Sequence, residues 1–574
     1  FPEKEIQVGP GDLPYFTEEL RHLKRQRLRA YNAHGGKSVQ YKRLKLKFEQ
    51  TLKHEARKYV QKVEKEVIEG KRGSGYKAIR KLGNQPGESW HNSEVKIQSY
   101  IEAGLTPYQA ANKLANYFSA ISQSVDPLDE SQFPPALRQA LEVGRAGNKP
   151  ILTQHQVYRK IMRVTKPRSS VKGDVPRVLI KTYPFEYAKP VTVIYNKILQ
   201  SSSWPKQWLQ EQAVVLSKLK KQQLPKNEED LRTVSKTAWL SKCLENLLGD
   251  FILPVIDKYI DPGQCGGLKK SSVSHYLLKL LDFANRTLDK NTPHCAVLCT
   301  EDLSKAYNRG SHNLVVEDLW AMHLPGWLLA IICSYLKERT LILKYNKENS
   351  EAKTLPGGFS AGTWLGGLLF IVKFNGACLR PPIPRPITQN KGIQVKFIDD
   401  ASQVASIDLK KSLIQDTRSR PKPLNYSERT GMMLNPSEDI LQQELDKFFL
   451  FTENNKLLIN RKKCFVMKFT RSRKFDFPPE FTIGGSDILE VRTELKILGV
   501  MVQSDMGWGA QCQEMVRRAT STTWAIRRMK TLGVSEDKLT EFWKSEGRVH
   551  LEYACPVWHS SLTVAQSSSL DRAQ

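Results

Sequence analysis

The sequence predicts a mixed helix-and-strand protein, with an α/β or α+β core over about residues 151–500 and helical segments on either side. Two observations carry this. Within 151–500, apolar residues at three-four spacing alternate with short runs of strand periodicity. Before that region lie two amphipathic helical stretches, and after "DMGW" (505–508) the helical pattern returns. A length of 574 residues allows two to four domains and a substantial core.

The first helix is expected over 16–34, "FTEELRHLKRQRLRAYNAH", with Thr17 as its cap, Glu18 and Glu19 in the first turn, and Gly35-Gly36 ending it. A longer one is expected over 38–69. Its stripe is Leu44, Phe48, Leu52, Ala56, Val60, Val63 and Val67, and Gly70 follows. Two such helices across a short loop predict an antiparallel hairpin. Residues 91–150 read as a connector, with one helix ("TPYQAANKLANYFSAIS") and a polar, proline-containing link. After 508, Met515, Ala519, Thr522, Ile526 and Met529 repeat at helical spacing among several arginines.

The net charge is +29, with 88 Lys and Arg against 59 Asp and Glu. A field of that sign favours polyanions. No run of about 18 apolar residues predicts a membrane-spanning helix. No lipidation motif is visible either, so nucleic acid is favoured over membrane. The basic charge is concentrated: residues 21–90 hold 20 Lys and Arg against 6 Asp and Glu, a net of +14. A solvated helical face usually mixes signs, so this segment reads as a nucleic-acid contact. The nine cysteines are scattered without a CxxC pair and support neither a zinc site nor a disulfide framework; they read as buried thiols in a reducing compartment.

The chemistry-bearing stretch is "VKFIDDASQVASI" (395–407). Ile393, Val395 and Phe397 alternate with Gln394, Lys396 and Ile398, a strand pattern, and a second apolar run follows. A hairpin would put Asp399 and Asp400 at its tip. Adjacent carboxylates repel, and a hard divalent cation such as Mg²⁺ removes the conflict. On this stretch alone a solvated Asp-Asp turn is the commoner explanation. The stretch "HCAVLCTEDLSKAYNRG" (294–310) adds a second apolar run ending near Asp302. An acid at the carboxyl end of a core strand stands where such sheets place catalytic groups. Two neighbouring strands would bring Asp302 to the Asp399–Asp400 tip, where three carboxylates can hold two Mg²⁺ ions.

In order, these stretches resemble the reverse transcriptases of non-LTR (LINE-type) retrotransposons. "SKAYN" after Asp302 resembles the first catalytic motif, and "FIDD" the aspartate-pair motif. "LPGGFSAGTWLGGLLFIVKFNGA" (355–377) resembles the glycine-rich template and nucleotide motif. "WPKQWLQEQAVVLSK" and "LRTVSKTAWLSKCLENLL" resemble fingers motifs, and "DPGQCGGLKKSSVSHYL" the next block. "NNKLLINRKKCFVMKF" resembles the motif carrying an Asn and a Lys, "LKILGVMV" the primer-grip turn, and "LEYACPVWHSSLT" the segment after the thumb. The resemblance covers essentially the whole chain. It implies an α+β right-hand polymerase of fingers, palm and thumb with a basic helical N-terminal extension. By position these are residues 1–90 (extension), 91–150 (connector), 151–500 (fingers and palm) and 501–574 (thumb and the start of the next segment).

The resemblance also implies roles. Asp302, Asp399 and Asp400 match the metal-binding triad for two Mg²⁺ ions. Tyr307 stands where the family places an aromatic under the incoming sugar that excludes a 2′-hydroxyl; a core tyrosine is the competing reading. Lys218 and Arg232 match fingers residues that meet the triphosphate, against a reading as solvated surface charges. Gly362 allows close backbone approach to nucleotide and template. Lys463 matches the residue that protonates departing pyrophosphate, or is one more surface lysine of "NRKK". Leu498 and Gly499 match the primer grip, or form an ordinary turn. The implied partners are an RNA template, a DNA primer and dNTPs, in nucleus and cytoplasm.

Three departures stand out. Ser360-Ala361 occupy the place of the family's usual Pro-Gln before Gly362, and Asn308 stands where a second acid is frequent. A polar insert including "DTRSRPKPLNYSERTG" follows the aspartate pair. No endonuclease-like segment precedes the basic helices, so the sequence reads as a piece of a longer element. The implied function is RNA-directed DNA synthesis. The alternatives are a catalytically impaired RNA-binding remnant and an intron-type maturase.

Overall fold

The computed structural model describes residues 15–36, 38–68, 95–164, 174–175, 177–219, 223–290, 294–375, 392–408, 440–470, 481–485, 487–531 and 533–574. The polar insert and the latter part of the basic segment lie outside the described residues. The chain forms two compact units. One holds Phe1–Ser93, Gly499–Val502 and Gly507–Gln574, and the other Glu94–Leu498 and Gln503–Met506.

The first unit begins with α1 (Glu18–His34) and α2 (Val39–Ile68). Thr17 caps α1 by accepting from the Leu20 N–H, and Gly35, at φ +71°, ends it. Ser38 caps α2 through the Tyr41 N–H. The two helices pack through Leu20, Leu23 and Phe48, with Leu52 beside them, as the apolar stripes require. The side chains of Val60, Val63 and Val67 lie outside the described set.

In the second unit, α3 (Pro107–Ser122) is closed by a capping box from Thr106 and Gln109. Next come α4 (Pro135–Ala146), β1 (Gln210–Ser217), β2 (Leu231–Lys236), α5 (Trp239–Ile256), α6 (Val273–Leu288) and β3 (His294–Glu301). They are followed by α7 (His312–Ala321), α8 (Gly326–Leu336), β4 (Thr340–Tyr345), α9 (Trp364–Asn375), β5 (Gly392–Phe397) and β6 (Asp400–Asp408). Last are α10 (Ile440–Asn454), β7 (Phe465–Phe469) and the short β8 (Glu490–Val491). One sheet has the order β2-β1-β4, with β1 antiparallel to β2 and parallel to β4. Its inner residues Ala213, Val215, Leu341 and Leu343 pack on Leu114 and Phe118 of α3. So the stretch read as a connector supplies one layer of this sheet's core.

The second sheet has the order β8-β7-β3-β6-β5. Strand β3 lies at its centre, antiparallel to both β6 and β7. Cys295, Val297 and Cys299 face a core shared with Leu248 and Ile252 of α5, Leu369 and Phe374 of α9, and Phe448 of α10. Each such side chain contributes roughly 1.5–3 kcal/mol by leaving water. Helix α6 packs on β3, β5 and β6.

In the first unit, α11 (Gly509–Thr531) buries Met515, Ala519, Thr522, Ala525 and Met529, the expected stripe with Ala525 rather than Ile526 fully inside. Ala525 and Met529 share a core with Ala56 of α2 and with Leu539 and Phe542. The two ends of the chain thus build one body. Seven of the eight described cysteines are buried, and all eight are free thiols. Among the described residues no helix is long and apolar enough to cross a membrane.

Candidate active site

Strand register brings the aspartates to one end of the second sheet. Glu301 of β3 pairs with Ala401 of β6, so Asp302 and Asp400 leave the sheet together. β5 and β6 form a hairpin in which Phe397 pairs with Asp400, leaving Ile398 and Asp399 as a two-residue turn. Ile398 has φ +62°, a conformation that costs a branched residue about 1–2 kcal/mol. The "DPGQCGG" stretch holds the turn: the Gln264 carboxamide oxygen accepts from Ile398 and Gly266 N–H groups at 3.0 and 2.9 Å. A side chain on Gly266 would meet the Ile398 backbone.

Beneath the turn, Lys396, one of the polar positions of the strand alternation, does not face solvent. It is fully buried, 3.0 Å from the Asp261 carboxylate, with its Nζ donating to the Phe374 carbonyl. Its partner is supplied by a loop far away in sequence.

The carboxylates feel one another. Burial, then the charges of Asp399 and Asp302, push Asp400 up to about 6. Asp399 is also raised, first by burial and then by Asp302, against its own backbone hydrogen bond. Asp302 Oδ2 accepts from Asn460 Nδ2 at 2.9 Å and lies 3.4 Å from Lys463 Nζ. Oxygen donors that resist ionisation together suit a hard divalent cation, which relieves both burial and repulsion. Among the described residues, however, no three His, Cys, Asp or Glu side chains converge into a ready-made metal cluster. The donor chemistry fits Mg²⁺, while the closed ligand geometry is not formed.

The other sequence-predicted residues distribute as follows. Tyr307 stacks on Phe370, with centroids 4.8 Å apart and planes at 18°, and burial followed by the Asp399 charge pushes its hydroxyl up to about 12. Lys218 donates to the Glu229 carbonyl at 2.8 Å; burial, then the charge of Lys463, draws its ammonium down. Arg232 is exposed on β2, opposite Leu216. Gly362 is exposed with φ +105°, which needs a glycine. Leu498 and Gly499 have φ +46° and +90°, forming a tight left-handed turn.

A cavity of about 260 Å³ opens beside Asp302 and Asp400 and is lined also by Lys463, Arg492, Lys496 and Leu498. Sequence reasoning missed Arg492, whose guanidinium lies 3.6 Å from the Phe465 ring centroid. It also missed Lys305, left-handed at φ +52°, whose Nζ donates to the Tyr117 hydroxyl and whose pKa falls to about 8 by burial and the nearby Lys218 charge. The position of Lys305 inside "SKAYN" was its one sequence signal; Arg492 had none. The lining is of mixed charge, with Glu301 and Glu494 beside the aspartates; its carboxylates can take a divalent cation, and Lys463, Arg492 and Lys496 can meet an anion.

No protein-family model matches the chain. It is 23% identical over 292 residues to the RNA-directed DNA polymerase from mobile element jockey of Drosophila melanogaster, covering 50% of this chain and 29% of that protein. It is 20% identical over 521 residues to the probable RNA-directed DNA polymerase from transposon BS of the same organism, covering 87% of this chain and 51% of that protein. The chain thus spans about half or less of the length of these curated relatives. The ordered motifs and these two relatives agree: the chain is similar to RNA-directed DNA polymerases of non-LTR mobile elements.

Proposed function

We propose that this chain is an RNA-directed DNA polymerase that adds dNTPs to a primer 3′-hydroxyl by two-metal phosphoryl transfer, copying retrotransposon RNA. The observation that carries the reading is the gathering of Asp302, Asp399 and Asp400 at one sheet end, beside a cavity that also presents Lys463, Arg492 and Lys496. In this reading the β2-β1-β4 sheet belongs to the fingers, the β7-β3-β6-β5 sheet is the palm, and α11 belongs to the thumb.

Asp302, Asp399 and Asp400 would hold the Mg²⁺ ions. When bound, Mg²⁺ makes the primer hydroxyl more acidic and neutralises charge on the leaving pyrophosphate. The primer oxygen bonds to the α-phosphorus as the bond to pyrophosphate breaks. Asn460 orients Asp302 through its 2.9 Å hydrogen bond. Lys463, beside Asp302, is in reach to give its proton to the pyrophosphate oxygen. Lys218 and Arg232 offer positive charge to the triphosphate. Tyr307, braced on Phe370, would lie under the sugar and exclude a 2′-hydroxyl. Positioning and charge stabilisation supply the catalysis.

Primer extension on an RNA template with dNTPs and Mg²⁺ tests the proposal. Wild type extends the primer, and Asp399→Ala does not. No synthesis by either protein, with tight RNA binding retained, would replace the enzyme with an RNA-binding scaffold.

A further inference from the structure

The glycine-rich loop is held by buried charge. Gly358 N–H donates to the Gly310 carbonyl at 2.7 Å, and Phe359 N–H to the Tyr307 carbonyl at 2.6 Å. The loop is therefore stitched to the segment that carries Tyr307. The Gly358 carbonyl in turn accepts from His312 Nε2 at 2.7 Å and from an Arg339 guanidinium nitrogen at 2.8 Å. The other terminal guanidinium nitrogen donates to Ser360 Oγ at 2.7 Å. Ser360 Oγ donates to the Glu211 carboxylate of β1, which also pairs with Arg339. One residue on, the Ala361 carbonyl accepts from Ser235 N–H of β2 at 3.1 Å.

Arg339 and Glu211 are each 3% exposed, and Ser360 is 2% exposed. A buried ion pair holds its geometry only when its remaining donors and lone pairs are matched. The Ser360 hydroxyl does this: it takes a guanidinium proton and gives its own to the carboxylate. A small polar residue at this position is what the Arg339–Glu211 pair demands.

We infer that Ser360, clamped between Arg339 and Glu211, is a positioning residue that fixes Tyr307, and so sets how strictly the site selects deoxyribose over ribose. Loss of the hydroxyl leaves a guanidinium N–H and a carboxylate oxygen short of a partner in a dry interior. The loop they hold loosens at Gly358 and Phe359, and its bond to the Tyr307 carbonyl loosens with it. Ser360-Ala361 is then a working substitute for Pro-Gln, not a mark of decay. The sugar-selection consequence rests on the polymerase reading; the coupling between the loop and Tyr307 does not.

The test compares Ser360→Ala with Gly144→Ala, a destabilising change in a distant helix contact that serves as the control for general loosening. Hydrogen exchange is measured on peptides spanning 303–310 and 355–363. Ser360→Ala is expected to speed exchange in both peptides by at least about tenfold, and Gly144→Ala in neither. Ratios of dNTP to rNTP incorporation are then measured on an RNA template. They fall by about tenfold or more for Ser360→Ala and stay at the wild-type value for Gly144→Ala. Unchanged exchange over 303–310 in Ser360→Ala would overturn the coupling. Faster exchange with an unchanged sugar ratio would overturn the selectivity role. A wild type that makes no DNA would defeat the polymerase reading, while the exchange data would still decide the coupling.

Discussion

His312 shows how strongly this interior treats a single charge. It is 1% exposed, with Nε2 bonded to the Gly358 carbonyl, and burial lowers its pKa from the ordinary 6.5 to about 4. Below pH 6.5 the unfolded chain takes up a proton that the folded chain refuses. Stability from this group is therefore present above pH 6.5 and lost as pH falls toward 4, by up to roughly 3 kcal/mol. His312→Gln abolishes that titration. The stability difference between wild type and variant should shrink by about 2 kcal/mol between pH 7.5 and pH 5, read from urea unfolding at each pH. A constant difference would mean that the imidazole is not held neutral. Burial likewise raises Asp399 and Asp400, and in the proposed reading a cation rather than a proton would relieve them.

At the scale of elements, the packing of α4 on α8 depends on two glycines. A Cβ on Gly144 would strike the Gly326 backbone, and one on Gly326 would strike the Ala140 carbonyl. Gly144→Ala should cost about 1–3 kcal/mol in unfolding free energy, because two backbones must separate. A change under 0.5 kcal/mol in a chemical melt would show that the helices give way freely. The elements also show what sequence reading can reach. The cap at Thr17, the stop at Gly35 and the hairpin around Asp399 follow from local residue chemistry, and each formed where the sequence placed it. The burial of Lys396 was not legible, because alternation records which side a residue takes, not whether a distant loop covers that side with Asp261. Glu211 and Arg339 were illegible for the same reason, each finding its counter-charge more than a hundred residues away. Two apolar runs ending in acids made Asp302 and Asp399 candidates for one site, and motif order singled that pairing out. No spacing rule connects residues on strands that meet by tertiary pairing.

For the molecule as a whole, a net charge of +29 should govern the nucleic-acid binding proposed for it. A protein neutralising six to ten phosphates loses about 10³-fold or more in affinity between about 50 and 200 mM salt. RNA–DNA heteroduplex binding followed by fluorescence anisotropy should show a fall of that size. Replacing exposed Arg25 and Arg29 of α1 with Gln should flatten the salt slope by about one phosphate for each arginine replaced, across all sequences alike. An unchanged slope would remove α1 from the binding surface. In the proposed reading, charge supplies the grip and the three aspartates supply the chemistry. Single-nucleotide incorporation opposite an RNA template, under single-turnover conditions with saturating heteroduplex, separates the two. Asp399→Asn should bind the heteroduplex as wild type does yet incorporate at least about 10³-fold more slowly. Incorporation within about tenfold of the wild-type rate would contradict the placement of the active centre at the end of β3 and the β5–β6 turn.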